Sequence, residues 1–203
     1  MSPRTSQPGH REAAQVPGAP LRADAARNVA QIRAAAIAAF RGRGLDTPLE
    51  EIAAAAGVSK ATIYNRFGGR AGLIDAVIEK LVAAEMHTIM DRALQVTDPW
   101  QAIATYVTDR RDLQYREPAF TDALLMTYPE SGQLAAIATA AIDMTTSLVQ
   151  RSHDAGAIHR DFTAADLYYA DVANGLALRK LPRPARQDYD RRTRFFLDSL
   201  RPR

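Results

Sequence analysis

LEEIAAAAGVSKATIYNRF, residues 49–67, reads as two short helices on either side of a glycine turn. Just ahead of it, Thr47 and Pro48 read as an N-cap and a first-turn proline, and Glu50 and Glu51 suit the positive end of a helix dipole. A short helix is therefore expected from about Pro48 to Ala55. Gly57 is free to adopt the positive φ that stops a helix and turns the chain, and Ser59 is placed to cap a second helix, Lys60 to Phe67, closed by Gly68 and Gly69. Such a pair can set its second helix across a supporting scaffold, as DNA readers require. With Ile63 and Phe67 facing inward at i and i+4, Ala61 and Asn65 point fully outward and Thr62 and Tyr64 lie on the flanks.

The outward chemistry suits a major groove. An Asn65 side chain pairs with adenine, the methyls of Ala61 and Thr62 match a thymine methyl, and the hydroxyls reach phosphate or base edges. Lys60, Tyr64, Arg66 and Arg70 are expected as phosphate anchors. The full set of expected DNA contacts is Thr47, Ser59, Lys60, Ala61, Thr62, Tyr64, Asn65, Arg66 and Arg70.

Upstream, Val29, Ile32, Ala36 and Phe40 recur every three or four residues, so a helix is expected from a cap at Asp24 to a stop at Gly42 or Gly44. The first 20 residues hold four prolines and two glycines, which reads as a disordered arm over residues 1–22. Downstream, Leu73, Ile74, Val77, Ile78, Leu81 and Val82 mark a long fourth helix, and helix starts stand at Asp98-Pro99, Glu117-Pro118 and Thr163 to Asp166, with a stop at Gly156. Alternation of period two is missing. The expected fold is all α, with a three-helix helix-turn-helix domain over residues 23–70 and a larger helical domain over residues 71–203.

Charge agrees with this division. Residues 1–80 carry 11 Lys and Arg against 7 Asp and Glu, while residues 81–203 carry 15 against 16, so the net +3 resides in the first part. Cysteine is absent, which removes disulfides and thiolate chemistry and fits a cytoplasmic location. No apolar run reaches the roughly 20 residues of a membrane span.

The ordered pattern from Ile32-Arg-Ala-Ala-Ala-Ile-Ala-Ala-Phe40 and Gly44 through Ile52-Ala53, Ala56-Gly-Val-Ser59, Ile63-Tyr64, Phe67 and Leu73 to Ala76-Val77 resembles the TetR-type (TetR/AcrR) transcriptional regulators over about residues 27–78. That resemblance implies an all-helical homodimer, a C-terminal domain that binds a small-molecule effector, and Lys60 and Tyr64 at the DNA backbone or groove of a palindromic operator. The chain departs from the common pattern at Arg66, where histidine is usual, at Arg70, where lysine is usual, at Gly68-Gly69 in place of a capping side chain, and by one residue fewer between Gly44 and Ile52.

Beyond about residue 82 the resemblance is loose. Tyr106, Arg110, Phe120, Leu124, Met126, Tyr128 and Met144 mix aromatics, methionines and polar groups and are the expected effector pocket, although the same residues at helical spacing also make ordinary core. Val172, Leu176, Phe196 and Leu200, on the last two helices, are the expected dimer seam, with intramolecular packing as the alternative. A helical small-molecule-binding protein or an enzyme with a vestigial DNA head is the rival reading, and a DNA-coating protein is a third. His87, His153 and His159 form no metal-ligand spacing, and nucleophile elbows, phosphate loops and dinucleotide fingerprints are missing, so neither catalysis, cofactor nor metal is expected.

Overall fold

A computed structural model describes residues 19–125 and 128–202, and every regular element among them is helical. The order is α1 (Ala19–Arg43), α2 (Leu49–Ala55), α3 (Lys60–Phe67), α4 (Arg70–Ile78), α5 (Ala84–Gln95), α6 (Pro99–Arg116), α7 (Pro118–Leu124), α8 (Gly132–Asp154), α9 (Ala164–Lys180) and α10 (Arg186–Leu200). The all-α expectation holds. Helix α1 starts at Ala19 rather than Asp24, so residues 19–22 of the expected arm are helical, while residues 1–18 lie outside the described residues.

Local chemistry sets most of the boundaries. Ser59 caps α3 by accepting the Thr62 N–H at 3.2 Å, and Gly57 turns the chain with φ of 66°. Asp98 caps α6 from the Gln101 N–H at 2.7 Å, and Thr163 and Asp166 close a reciprocal capping box at α9. Helix α2 differs from expectation. It begins at Leu49 with Pro48 before it, and Thr47 does not cap it, because the Thr47 hydroxyl donates back to the Gly44 carbonyl at 2.8 Å.

The expected long fourth helix is present but wider in its middle. Helices α4 and α5 run on through a π-helical turn, Glu79–Ala83, whose Leu81, Val82 and Ala83 are buried. One apolar core links the two ends of the molecule, from Ile32 and Phe40 of α1, Ile52 of α2 and Ile63 of α3, through Leu73, Ile74 and Val77 of α4, to Tyr106 of α6, Phe120 of α7 and Leu148 of α8. A second cluster joins Ile103 and Val107 of α6 to Leu167 of α9 and Leu200 of α10. Helix α4 thus belongs to both the N-terminal head and the C-terminal body.

Candidate nucleic-acid interface and effector cavity

Helix α3 is two-faced in the sense its sequence requires. Ile63 is fully buried and Phe67 packs against the core, whereas Ala61 and Asn65 are exposed and Tyr64 is 50% exposed. Thr62 is half-buried, its hydroxyl 2.9 Å from that of Ser59. The Tyr64 ring leans on the following turn, where a Cβ at Gly69 would stand 3.0 Å from it. Lys60 reaches toward the ring, 5.9 Å from its centroid, and pairs with Glu50 of α2. The hydrogen bond from Lys60 holds the Glu50 carboxyl below its ordinary pKa and raises that of Lys60. Arg66 is exposed.

Two expected contacts lie elsewhere. Thr47 is 3% exposed, turned into its own loop. Arg70 donates through Nη1 to the carbonyls of Leu45 and Thr47 at 2.6 and 2.7 Å and stands 5.8 Å from the Tyr128 ring. Backbone carbonyls at the end of the α1–α2 turn thus give Arg70 partners inside the molecule.

These contacts are part of a clasp around residues 43–47. Asp122 of α7, 3% exposed, accepts the Leu45 N–H at 2.6 Å and pairs with Arg179 of α9 at 3.1 Å. Arg179 also donates to the Arg43 carbonyl at 3.1 Å, and the Tyr128 hydroxyl donates to Asp46 at 2.7 Å and to the Leu45 carbonyl at 3.1 Å. Burial and the bond to Asp46 raise the Tyr128 pKa, so this hydroxyl stays a donor at neutral pH. Burial likewise pushes the Asp122 carboxyl up, against the pull of the Leu45 N–H and Arg179. Gly44 sits at the centre with φ of 92°, in a gap too tight for any side chain. A separate tie joins Asp75 of α4 to Ser131 and to the Gln133 N–H at the start of α8.

Behind the clasp lies a cavity of about 380 Å³ bounded by the π turn, α5, α6, α7, α8 and α9. Arg110, Phe120 and Leu124, three of the residues read as an effector pocket, line this cavity. Tyr106, Tyr128 and Met144 do not. Tyr106 is fully buried beneath it, its hydroxyl 3.3 Å from the Ala141 carbonyl and from the Thr145 hydroxyl, and Met144 packs into the core. Tyr128 belongs to the clasp, and Met126 lies outside the described residues. Sequence reasoning missed most of the wall, which includes Val82 and Met86, Ala123 of α7, Leu134, Ile137, Ala138, Ala141 and Thr145 of α8, and Ala164, Ala165, Tyr168 and Tyr169 of α9. Leu134, Ile137, Ala138, Ala141 and Ile142 recur at i, i+3, i+4, i+7 and i+8 on one face of α8, and that apolar period was the available signal.

Residues 32–77, the α1-to-α4 head just described, match the family model for bacterial regulatory proteins of the tetR family. The head is a TetR-family domain. Known structures extend the likeness over the body. A TetR transcriptional regulator of Streptomyces coelicolor is 27% identical with a TM-score of 0.52, the alignment covering 86% of this chain and 98% of that one. The ketosteroid transcriptional regulator KstR2 of Mycobacterium tuberculosis, 16% identical, shares the fold with a TM-score of 0.61 over 95% of this chain and 100% of its own. AibR, whose structure holds isovaleryl coenzyme A and operator DNA, is 15% identical with a TM-score of 0.65 over 86% and 98%. No curated protein sequence matches the chain.

In the helical body the expected dimer residues separate. Leu176 is 42% exposed and Val172 half-buried on α9, but Leu200 is 3% exposed within the second core cluster. Phe196 packs on that cluster and carries the Arg111 guanidinium 4.1 Å above its ring. Helical phase is the reason: Phe196 and Leu200 lie one turn apart on the inner face of α10, and Phe195, 64% exposed, occupies the outer one. Among the described residues no group of three or more His, Cys, Asp or Glu is placed to hold a metal ion, and no helix is long and apolar enough to cross a membrane.

Proposed function

We infer that the chain is a ligand-responsive transcription regulator that binds a palindromic operator as a homodimer, laying α3 in the major groove and taking its effector in the cavity behind the clasp. The observation that carries this is the division of α3, with Ile63 sealed in the core and Ala61, Tyr64 and Asn65 free, inside a TetR-family head. Ala61, Thr62, Tyr64 and Asn65 meet base edges, while Ser59, Lys60 and Arg66 hold phosphates. Lys60 exchanges Glu50 for a phosphate on binding, a small cost for an exposed pair. Dimerisation supplies two heads for two half-sites, and the exposed Tyr169, Leu176 and Phe195 on α9 and α10 offer the apolar area for it.

Helix α7 connects the two sites. Phe120, Ala123 and Leu124 face the cavity while Asp122 grips the α1–α2 turn, so an occupant that displaces α7 also moves the grip on the head. Coupling of this kind amounts to about 1–3 kcal/mol in regulated proteins. AibR, solved with both an acyl-thioester and operator DNA, supports such pairing of sites in this fold. We read the chain as a non-enzymatic protein of the cytoplasm, where its operator is. Selection of bound fragments from a random DNA pool tests the reading: a palindrome with half-sites about one helical turn apart is expected. Recovery of unselected sequence would argue against it.

A further inference from the structure

The cavity wall contains a charge imbalance. Among the described residues that line it, Arg110 is the one charged side chain, and it is buried. Its Nη1 lies 2.9 Å from Asp171 of α9, but the Arg110 Nε–H has no acceptor and neither Asp171 oxygen accepts a well-aligned hydrogen bond. Arg111, next in the chain and also buried, stacks its guanidinium 4.1 Å over the Phe196 ring, forms no ion pair among the described residues and has its own Nε unpartnered. Two guanidinium groups against one carboxylate leave this interior with a positive charge and open donors. Buried polar groups are rarely left so, and the missing partner is an acceptor carrying negative charge. The rest of the wall is apolar apart from Thr145, Tyr168 and Tyr169, and Ile142, Ala165, Tyr168 and Tyr169 are its exposed members, which places the mouth between α8 and α9.

We propose that the effector is an amphipathic monocarboxylate whose head accepts from the Arg110 guanidinium while its hydrocarbon body fills the apolar wall. A cavity of about 380 Å³ suits a compact acid, since ligand cavities run from about 300 to 1,000 Å³. This rests on the cavity being the effector site, as inferred above. Asp171 competes with the ligand for the guanidinium, which gives the assignment a sign that a purely structural ion pair would not have.

The test uses the full chain and calorimetric titration with octanoate, decanoate and 4-phenylbutyrate, each beside its methyl ester, together with octanoyl coenzyme A. At least one acid is expected to bind about ten-fold or more tightly than its ester. Asp171→Asn should tighten the acid and leave the ester unchanged, and Arg110→Gln should erase the preference. Equal binding of acid and ester, tighter binding of the thioester, or binding of none of these acids overturns the proposal, and this comparison needs no variant to fold. Operator binding measured alongside separates the two readings. Lost acid preference with intact sequence-selective DNA binding removes only the ligand class; intact acid preference without such DNA binding removes only the regulator.

Discussion

Gly44→Ala is the most severe single-methyl change the structure allows in the clasp. The residue has φ of 92°, where a side chain costs about 1–2 kcal/mol from its clash with the backbone. An added Cβ would also lie 2.2 Å from Asp122 Oδ2 and 3.0 Å from Arg179 Nη2, so the carboxylate must leave its 2.6 Å bond to the Leu45 N–H. A hydrogen bond to a charged group contributes about 1.5–3 kcal/mol. Together these give a loss of about 2.5–5 kcal/mol, or roughly 5–20 °C in melting temperature for a chain of this size. Gly57→Ala is the control, with φ of 66° but nothing within 4 Å of its added methyl, so backbone strain alone applies. Urea and thermal melts of both variants measure the difference. Losses equal to within about 0.5 kcal/mol would show that the Asp122 contact contributes nothing and that the clasp is only a turn.

Four more outcomes are expected. Tyr64→Ala and Asn65→Ala should each weaken operator binding by about 1–3 kcal/mol with melting curves unchanged, as read by fluorescence anisotropy. Lys60→Gln should flatten the salt dependence of DNA binding by about one unit of log–log slope, whereas Arg70→Gln should leave the slope alone and destabilise the fold, since Arg70 serves the carbonyls of Leu45 and Thr47. Leu176→Glu should dissociate the dimer in sedimentation equilibrium, while Leu200→Ala should cost about 2–5 kcal/mol of folding stability and leave the subunits paired. For Asp112, burial pushes the carboxyl up, but the hydrogen bonds from Arg116 and Arg186 outweigh it and lower the pKa. The stability it contributes is therefore complete above the ordinary carboxylate range and lost as pH falls through its depressed value. Asp112→Asn should flatten that part of an acid titration followed by circular dichroism.

The head was legible because its determinants are local. The Ser59 cap, the Gly57 turn and the inward phase of Ile63 and Phe67 all act within a few residues, so helical periodicity alone gives the free face of α3. Arg70 shows where such reading ends. Its position at the start of α4 and its charge both suit a phosphate, but its partners are carbonyls 23 and 25 residues earlier, brought near only by the folded turn. The cavity had the same difficulty. Tyr106 and Met144 have pocket chemistry and helical phase but face the interior, while the alanines of α8 and α9 carry no chemical signature and become wall only because small side chains there leave space.

Helix α7 explains why the clasp and the cavity belong in one account. A seven-residue helix opened by Pro118 is too short to hold its shape alone, so its position is fixed by what touches its sides. On one side Phe120 and Leu124 meet the cavity; on another Asp122 holds Leu45 and Arg179. Gly175 of α9 brings the two helices close, since a Cβ there would stand 3.0 Å from the Thr121 methyl. On the function proposed above, an occupant of the cavity would press on a helix held in place only by its neighbours and confined by α9, and displacement of Asp122 is the response this predicts. Cavity-filling substitutions make this testable without an effector. Ala138→Leu, which adds volume opposite α7 in the wall, should lower operator affinity with the head sequence untouched, and an unchanged affinity would show that α7 does not transmit cavity occupancy to the head.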